Sequence, residues 1–235
     1  MELKAVLFDL DGTLLPMDQE VFVKSYFGRL AKKLAPHGYD PAKLVDGIWK
    51  GTAAMVKNDG TKNNEQAFLD TFTAIFGKEA LNDMPYFDEF YQYDFDNVKE
   101  ACGYNENADK LIKTLKAKGL RLALATNPIF PSVATECRMR WAGLDQNDFE
   151  LFTTYENSRF CKPNVKYYED ILEKLELKAE ECLMIGNDVR EDMVTKSLGM
   201  KVFLLTDCLI NKDCEDISVY PHGGFAELFE FIKTI

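Results

Sequence analysis

Short apolar runs alternate with amphipathic stretches in the second half of the chain. Apolar residues recur there at intervals of three and four before Gly119, through residues 168–175 and again near the end, and each pattern predicts a helix. The runs between the helical patterns predict strands at 120–125, 151–154, 182–185 and 202–205. Strands that alternate with helices favour a parallel sheet covered on both faces. We therefore predict an α/β fold.

A different pattern follows the first apolar run, residues 5–8. Residues 17–103 contain no convincing strand, and their apolar positions have helical spacing. The predicted helical stretches are 23–34, 42–56, 65–76 and the aromatic-rich 83–98, with a polar loop at 57–64. We therefore expect a helical insertion at 17–103, and an α/β core made of residues 1–16 and 104–235.

Two carboxylates stand where the first strand ends. Asp9 and Asp11 are two residues apart, so an extended backbone directs both side chains to the same side. Two like charges in one small volume are costly unless a cation or protons neutralise them. The pair therefore suits a metal-assisted nucleophile with an acid/base partner.

The ends of the later predicted strands also carry polar side chains. Thr126 and Asn127 follow the second strand, Lys162 lies beyond the third, and an acidic loop at 186–192 follows the fourth. Ligands of parallel sheets bind outside the carboxyl ends of the strands. The Thr126 hydroxyl and the amide after it are able to donate hydrogen bonds to a phosphate oxygen.

The order of these motifs resembles that of the haloacid dehalogenase-like hydrolases. Asp-x-Asp-Gly-Thr, Thr-Asn, Lys-Pro and an acidic Gly-Asn-Asp loop each follow a predicted strand, and the resemblance spans about residues 3–205. It implies a Rossmann-like core and a helical cap between motifs one and two. It also implies that Asp9 is the nucleophile, that Asp11 is the general acid/base, and that Thr126 and Lys162 bind the phosphoryl group with the Asn127 amide.

The resemblance further implies a Mg²⁺ ion, held by Asp9, the Asp11 backbone carbonyl and an acidic residue of motif four. The commonest form of that motif has Asp directly after Gly, whereas this chain has Asn187 and then Asp188. A neutral amide binds a hard cation less well than a carboxylate does, which favours Asp188 as the direct ligand. Asp192, one helical turn on, is the expected indirect partner, and the register with Asn187 remains the alternative.

Composition narrows the partners and the compartment. A net charge of −11 argues against nucleic acid and anionic membranes as partners. Six scattered cysteines without a CxxC, together with two histidines that lie in no motif, argue against a structural zinc site. Free thiols and the lack of a signal-like or membrane-spanning apolar run predict a cytoplasmic protein.

The sequence therefore predicts a Mg²⁺-dependent phosphatase that hydrolyses a small phosphorylated metabolite through an aspartyl-phosphate. Dehalogenases of the family lack the second aspartate of motif one, so Asp11 favours phosphoryl chemistry. A phosphosugar mutase and, less well supported, a receiver-like phospho-accepting module are the alternatives. The sequence predicts neither the substrate nor an oligomeric state. Candidates for contact with the leaving group lie on the expected cap: Lys24, Arg29, Trp49, Lys50 and Lys57.

Overall fold

The computed structural model describes residues 2–235 and contains a six-stranded parallel sheet at its centre. The strand order is β3-β2-β1-β4-β5-β6, so β1 lies between β2 and β4. Ala5 of β1 pairs with Arg121 on one side and with Cys182 on the other. The strands are β1 (Ala5–Phe8), β2 (Arg121–Leu124), β3 (Leu151–Phe152), β4 (Cys182–Gly186), β5 (Lys201–Leu205) and β6 (His222–Gly223).

Eight α-helices accompany the sheet among the described residues. Four lie between β1 and β2 before the core helix α5, and the other three follow later strands. The helices are α1 (Gln19–Leu34), α2 (Pro41–Val56), α3 (Asn64–Phe76), α4 (Met84–Glu89), α5 (Glu106–Ala117), α6 (Ser132–Trp141), α7 (Val165–Leu175) and α8 (Phe225–Lys233). The α/β prediction is confirmed, while α6 and β6 were not predicted.

Alternate residues of β1 feed two hydrophobic clusters on opposite faces of the sheet. Val6 and Phe8 belong to the larger cluster, whereas Ala5 and Leu7 belong to the smaller one. All four are buried, as expected for a parallel strand covered on both sides. The larger cluster continues into α1–α3, so the helices between β1 and β2 share one apolar core with the sheet.

We call residues 17–103 the helical segment. Its first three helices begin at side-chain caps: Asp18, Asp40 and Asn63 each accept a hydrogen bond from a backbone amide in the first helical turn. The two ends of the segment lie side by side. Gly103 donates its backbone N–H to Pro16 O (2.7 Å), and Met17 pairs with Cys102 in a single antiparallel bridge.

A second attachment joins the middle of the helical segment to the core. The buried Asn64 side chain donates to Pro128 O (3.2 Å) and Phe160 O (3.3 Å), which lie on two different core loops. The Asn64 backbone N–H also donates to Ser158 O (2.8 Å). Each buried donor at the start of α3 is therefore satisfied by the core rather than by water.

No helix within residues 2–235 is both long and apolar enough to cross a membrane.

Candidate active site

The carboxyl end of β1 leads directly into the floor of a cavity. Asp9 follows the last residue of β1, and the chain then turns sharply at Gly12, whose φ is 86°. A side chain at Gly12 would also collide with the Asn187 amide in the loop after β4. Glycine therefore meets two demands here, a left-handed backbone and a close approach between two loops.

Both oxygens of the buried Asp9 carboxylate have partners. Lys162 Nζ donates to Asp9 Oδ1 (2.8 Å), and Thr13 Oγ1 lies 3.0 Å from Asp9 Oδ2. The Thr13 oxygen is also 2.9 Å from Asn187 Oδ1. Because a hydroxyl carries a single proton, Thr13 serves one of these two acceptors at a time. The contacts hold Asp9 in one orientation, facing the cavity.

Lys162 joins Asp9 to the motif-four loop. Its ammonium, 1% exposed, donates to Asp9 and also to Asp192 Oδ1 (2.6 Å). Burial by itself lowers the pKa of Lys162, but the two carboxylates outweigh it and hold that pKa well above its usual value. Burial raises the pKa of Asp192 to about 7, with Lys162 opposing and Asp9 adding to the rise. Two carboxylates facing one ammonium leave the cluster with an excess of negative charge.

The Asp11 carboxylate pairs with Arg138, a residue that we did not single out from the sequence. The Arg138 guanidinium is 1% exposed, donates to Asp11 Oδ2 and lies 4.5 Å from the centre of the Phe130 ring. The other Asp11 oxygen is buried without a hydrogen-bond partner among the described residues. Desolvation raises the pKa of Asp11 above its usual value, and the Arg138 charge opposes this rise. In the sequence, Arg138 stands between Cys137 and Met139, and these two apolar neighbours are the signal that could have indicated its burial.

The three motif-four candidates occupy different positions in the loop after β4. The Asn187 side chain donates to Cys208 O (2.6 Å), which turns its oxygen towards Thr13. Asp192 is fully buried and accepts the backbone N–H of Asp188 (3.0 Å). Asp188 lines the cavity, with Oδ1 accepting two backbone N–H groups of its own loop. Asp188 is thus the more accessible carboxylate, and Asp192 holds the loop to Lys162.

Thr126 and Asn127 follow β2 and line the same cavity. Thr126 is 1% exposed, and its carbonyl accepts the Tyr167 hydroxyl (2.8 Å), which anchors the loop to α7. The Asn127 amide donates to Glu191 Oε2 (3.2 Å), and its own Oδ1 is buried without a partner among the described residues. All the floor candidates from the sequence are thus brought to one edge of the sheet.

The cavity, about 310 Å³, lies between this floor and the helical segment. Of the five cap candidates, Trp49 lines it, whereas the four basic residues are absent from its lining. Arg29 pairs with Glu100 and Lys50 with Asp46. The structure therefore places none of the four basic residues in the cavity lining, and a basic contact with the leaving group stays a prediction.

Comparison with known proteins agrees with this geometry. The family model described as haloacid dehalogenase-like hydrolase matches residues 3–195. A glyceraldehyde 3-phosphate phosphatase of Methanothermobacter thermautotrophicus is 26% identical over 92% of this chain and 91% of its own. The pyrophosphatase PpaX of Bacillus cereus is 23% identical over 86% of this chain and 82% of its own.

The fold agrees with solved structures as well. A 2-haloacid dehalogenase from Pseudomonas syringae pv. Tomato superimposes with a TM-score of 0.67 over 99% of both chains, at 17% identity. At 17% sequence identity, this superposition shows a similar fold and nothing about activity. The family model, in contrast, covers all four motifs that form the floor of the cavity. The chain therefore belongs to the haloacid dehalogenase-like hydrolase family.

Proposed function

We propose that this protein is a Mg²⁺-dependent phosphatase, which hydrolyses a small phosphorylated metabolite through an aspartyl-phosphate on Asp9. The observation that carries the proposal is the pair of carboxylates at the cavity floor, held in two different environments. Asp9 is fixed by Lys162 and Thr13, whereas Asp11 has one unpartnered oxygen and a raised pKa. Two carboxylates in unlike environments suit a nucleophile and an acid/base group.

In the first step an Asp9 oxygen attacks phosphorus, and the bond from phosphorus to the ester oxygen breaks. Asp11 donates its proton to that oxygen, so that a neutral alcohol leaves. The raised pKa of Asp11 supports its starting in the protonated form. Water then attacks the aspartyl-phosphate, Asp11 takes the proton from that water, and inorganic phosphate leaves with Asp9 restored.

Lys162 offsets the repulsion between the Asp9 carboxylate and the phosphoryl oxygens. It already donates to Asp9, and a buried ammonium interacts with developing charge more strongly than an exposed one does. The Thr126 hydroxyl and the Asn127 amide would donate to the same phosphoryl group from the end of β2. Arg138 would keep the Asp11 carboxyl turned towards the leaving oxygen.

The residues at the floor fit a Mg²⁺ ion, the metal that phosphatases of this family generally use. Three side chains of His, Cys, Asp or Glu do not converge on one point within residues 2–235. Mg²⁺, however, keeps several waters and takes few protein oxygens. Asp9, the Asp11 carbonyl and Asp188 would supply those oxygens, with Asp192 acting indirectly and Asn187 as the alternative. The ion, when bound, would neutralise charge on the phosphoryl group.

The helical segment would act as the cap of this enzyme, with residues 1–16 and 104–235 as its core. The adjacent chain crossings at Pro16–Gly103 and Met17–Cys102 support that division. All six cysteines are free, which supports a reducing compartment such as the cytoplasm.

Release of inorganic phosphate from a panel of phosphomonoesters, with and without Mg²⁺, tests the proposal. We expect Mg²⁺-dependent turnover, and Asp9→Asn should lower kcat by about 10³-fold or more. A Mg²⁺-dependent rate that survives Asp9→Asn would contradict the proposal. A requirement for a sugar bisphosphate would identify a mutase instead, and stable phosphorylation of Asp9 without turnover would identify a receiver-like module.

A further inference from the structure

The walls of the cavity differ in chemistry from its floor. We define the aromatic wall as seven residues of the helical segment that line the cavity: Phe22, Tyr26, Phe27, Trp49, Phe68, Phe87 and Tyr91. Phe130 and Tyr155 complete the lining from the core side. We infer that the leaving alcohol is apolar, of the size of an aromatic ring, and free of negative charge. This inference rests on the proposed phosphatase activity.

The wall offers few hydrogen bonds to a polyhydroxy alcohol. The hydroxyls of Tyr26 and Tyr91 lie 2.7 Å apart and bond to each other. Most of the other wall side chains are hydrocarbon, and the aliphatic Ile48 and Leu69 extend the same surface. Beyond the wall, the helical segment adds two uncharged polar side chains to the lining, Gln19 and Thr52. A sugar hydroxyl placed against such a surface would lose its hydrogen bonds to water without replacement, which costs free energy. An aromatic or alkyl group would instead gain from leaving water.

The charges that line the cavity are all negative. Lysine and arginine are absent from the lining within residues 2–235, whereas Asp88 faces the cavity from the helical segment. The buried cations Arg138 and Lys162 are occupied, since Arg138 donates to Asp11 and Lys162 donates to Asp9 and Asp192. A carboxylate or phosphate on the leaving group would meet like charge and no available cation. An uncharged alcohol avoids that repulsion.

The two phosphatase relatives described above therefore differ from this chain, on this inference, in the group that they release. Pyrophosphate, the substrate named for the Bacillus cereus relative, has an anionic leaving group. Glyceraldehyde 3-phosphate has a polar leaving group. Neither matches a cavity whose outer side is mostly aromatic and aliphatic and whose one charge there is the Asp88 carboxylate.

The decisive experiment compares three alkyl phosphates at saturating Mg²⁺: benzyl phosphate, glycerol 3-phosphate and phosphoglycolate. All three esters release a primary alcohol, so the comparison reports the cavity more than intrinsic reactivity. We expect kcat/KM for benzyl phosphate to exceed the other two by at least about tenfold, which corresponds to about 1.4 kcal/mol. An equal or higher kcat/KM for glycerol 3-phosphate or phosphoglycolate would overturn the inference.

Acetyl phosphate separates this inference from the proposed function, because its small leaving group makes little use of the wall. Asp9-dependent hydrolysis of acetyl phosphate with no preference for benzyl phosphate would overturn the inference alone. If neither acetyl phosphate nor any of the esters is hydrolysed, the proposed function fails and the inference fails with it.

A charge placed on the wall sharpens the test. Trp49 is 49% exposed, so Trp49→Lys should fold and bring an ammonium to the cavity. It should shift the ratio of kcat/KM between benzyl phosphate and phosphoglycolate by about tenfold or more towards phosphoglycolate. The matched control is Tyr93→Lys, because Tyr93 is 66% exposed on the same segment and lies outside the cavity lining. An unmoved ratio in Trp49→Lys, or an equal shift in the control, would count against the inference.

Discussion

The floor and the aromatic wall enclose one cavity but are held together by different interactions. Buried ion pairs hold much of the floor together: Lys162 bonds to Asp9 and Asp192, and Arg138 bonds to Asp11. Wall residues instead touch through ring faces and edges, as Tyr26 does with Phe27 at 4.9 Å between centroids. Removing a floor residue therefore strands a buried charge, whereas changing a wall residue alters shape and polarity. The floor suits a fixed reaction and the wall suits a substrate that differs between relatives.

Among the floor substitutions, Lys162→Met is expected to cause the largest loss of stability. The substitution leaves two buried carboxylates without their cation, so we expect a loss of about 3–5 kcal/mol in the free energy of unfolding. The value of kcat should fall by about 10²–10³-fold, as when a preorganised charge partner is removed. Urea unfolding measures the loss of stability, and steady-state kinetics measure the change in kcat. Lys62→Met is the control, because its exposed pair with Asp70 should contribute less than about 1 kcal/mol.

Arg138→Met tests whether the floor behaves as coupled pairs. Removal of the guanidinium should lower the free energy of unfolding by about 1–3 kcal/mol, because the Asp11 oxygen that accepts from Arg138 loses its hydrogen-bond partner. In an Asp11→Asn background the same substitution should cost less, with a coupling on the order of 1–3 kcal/mol. A double-mutant cycle by denaturant unfolding measures that coupling. Additive losses would mean that the pair does not stabilise the floor.

Gly12→Ala tests the close approach of the two floor loops. Gly12 and Gly38 have φ values of 86° and 89°, but only Gly12 has a neighbour, Asn187, where a Cβ would lie. Alanine at Gly38 should cost about 1 kcal/mol through backbone strain alone. We expect Gly12→Ala to cost about 2 kcal/mol more and to lower activity, because the Asn187 amide must move. Equal losses in the two variants would argue against a tight floor.

The smallest expected effect concerns pH. Desolvation raises the pKa of Asp11 in the folded protein, so the folded state keeps that proton to a higher pH than the unfolded chain does. The contribution of Asp11 to stability is therefore greatest below its unfolded pKa of about 4 and is lost as pH rises through the folded pKa. The wild type should lose stability relative to Asp11→Asn over that window. Unfolding curves at a series of pH values test the sign, and the opposite trend would mean that Arg138 dominates.

The positions of the floor residues were accessible from the sequence because these residues lie at strand ends. Asp9 and Thr126 come directly after a short apolar run, Asp188 follows β4 after Asn187, and parallel strands bring such positions to one edge. The core of the fold was accessible for the same reason, although β3 ends two residues earlier than predicted.

Arg138 and the aromatic wall do not lie at strand ends, so the same argument could not predict them. Six of the ten residues of α6 are buried, so the helix has no clear apolar stripe and its arginine reads as a surface residue. The wall is assembled from residues far apart in sequence: Tyr26 and Tyr91, which bond to each other, are 65 residues apart. The sequence pattern of each contributing helix predicts which of its faces is apolar. The cavity, however, depends on how these faces pack against one another. Likewise β6, with two residues, is too short to form a pattern.

Asn64 has a consequence for movement. The helical segment is held to the core at its two adjacent ends and again at Asn64, whose amide bonds to the loops that carry Pro128 and Phe160. Asp96 of the same segment also accepts the Trp141 indole N–H from α6 (2.7 Å). The segment is therefore tied to the core in at least three places. Movement of the whole segment away from the floor must break hydrogen bonds at one or more of them, so opening the cavity in this way costs free energy.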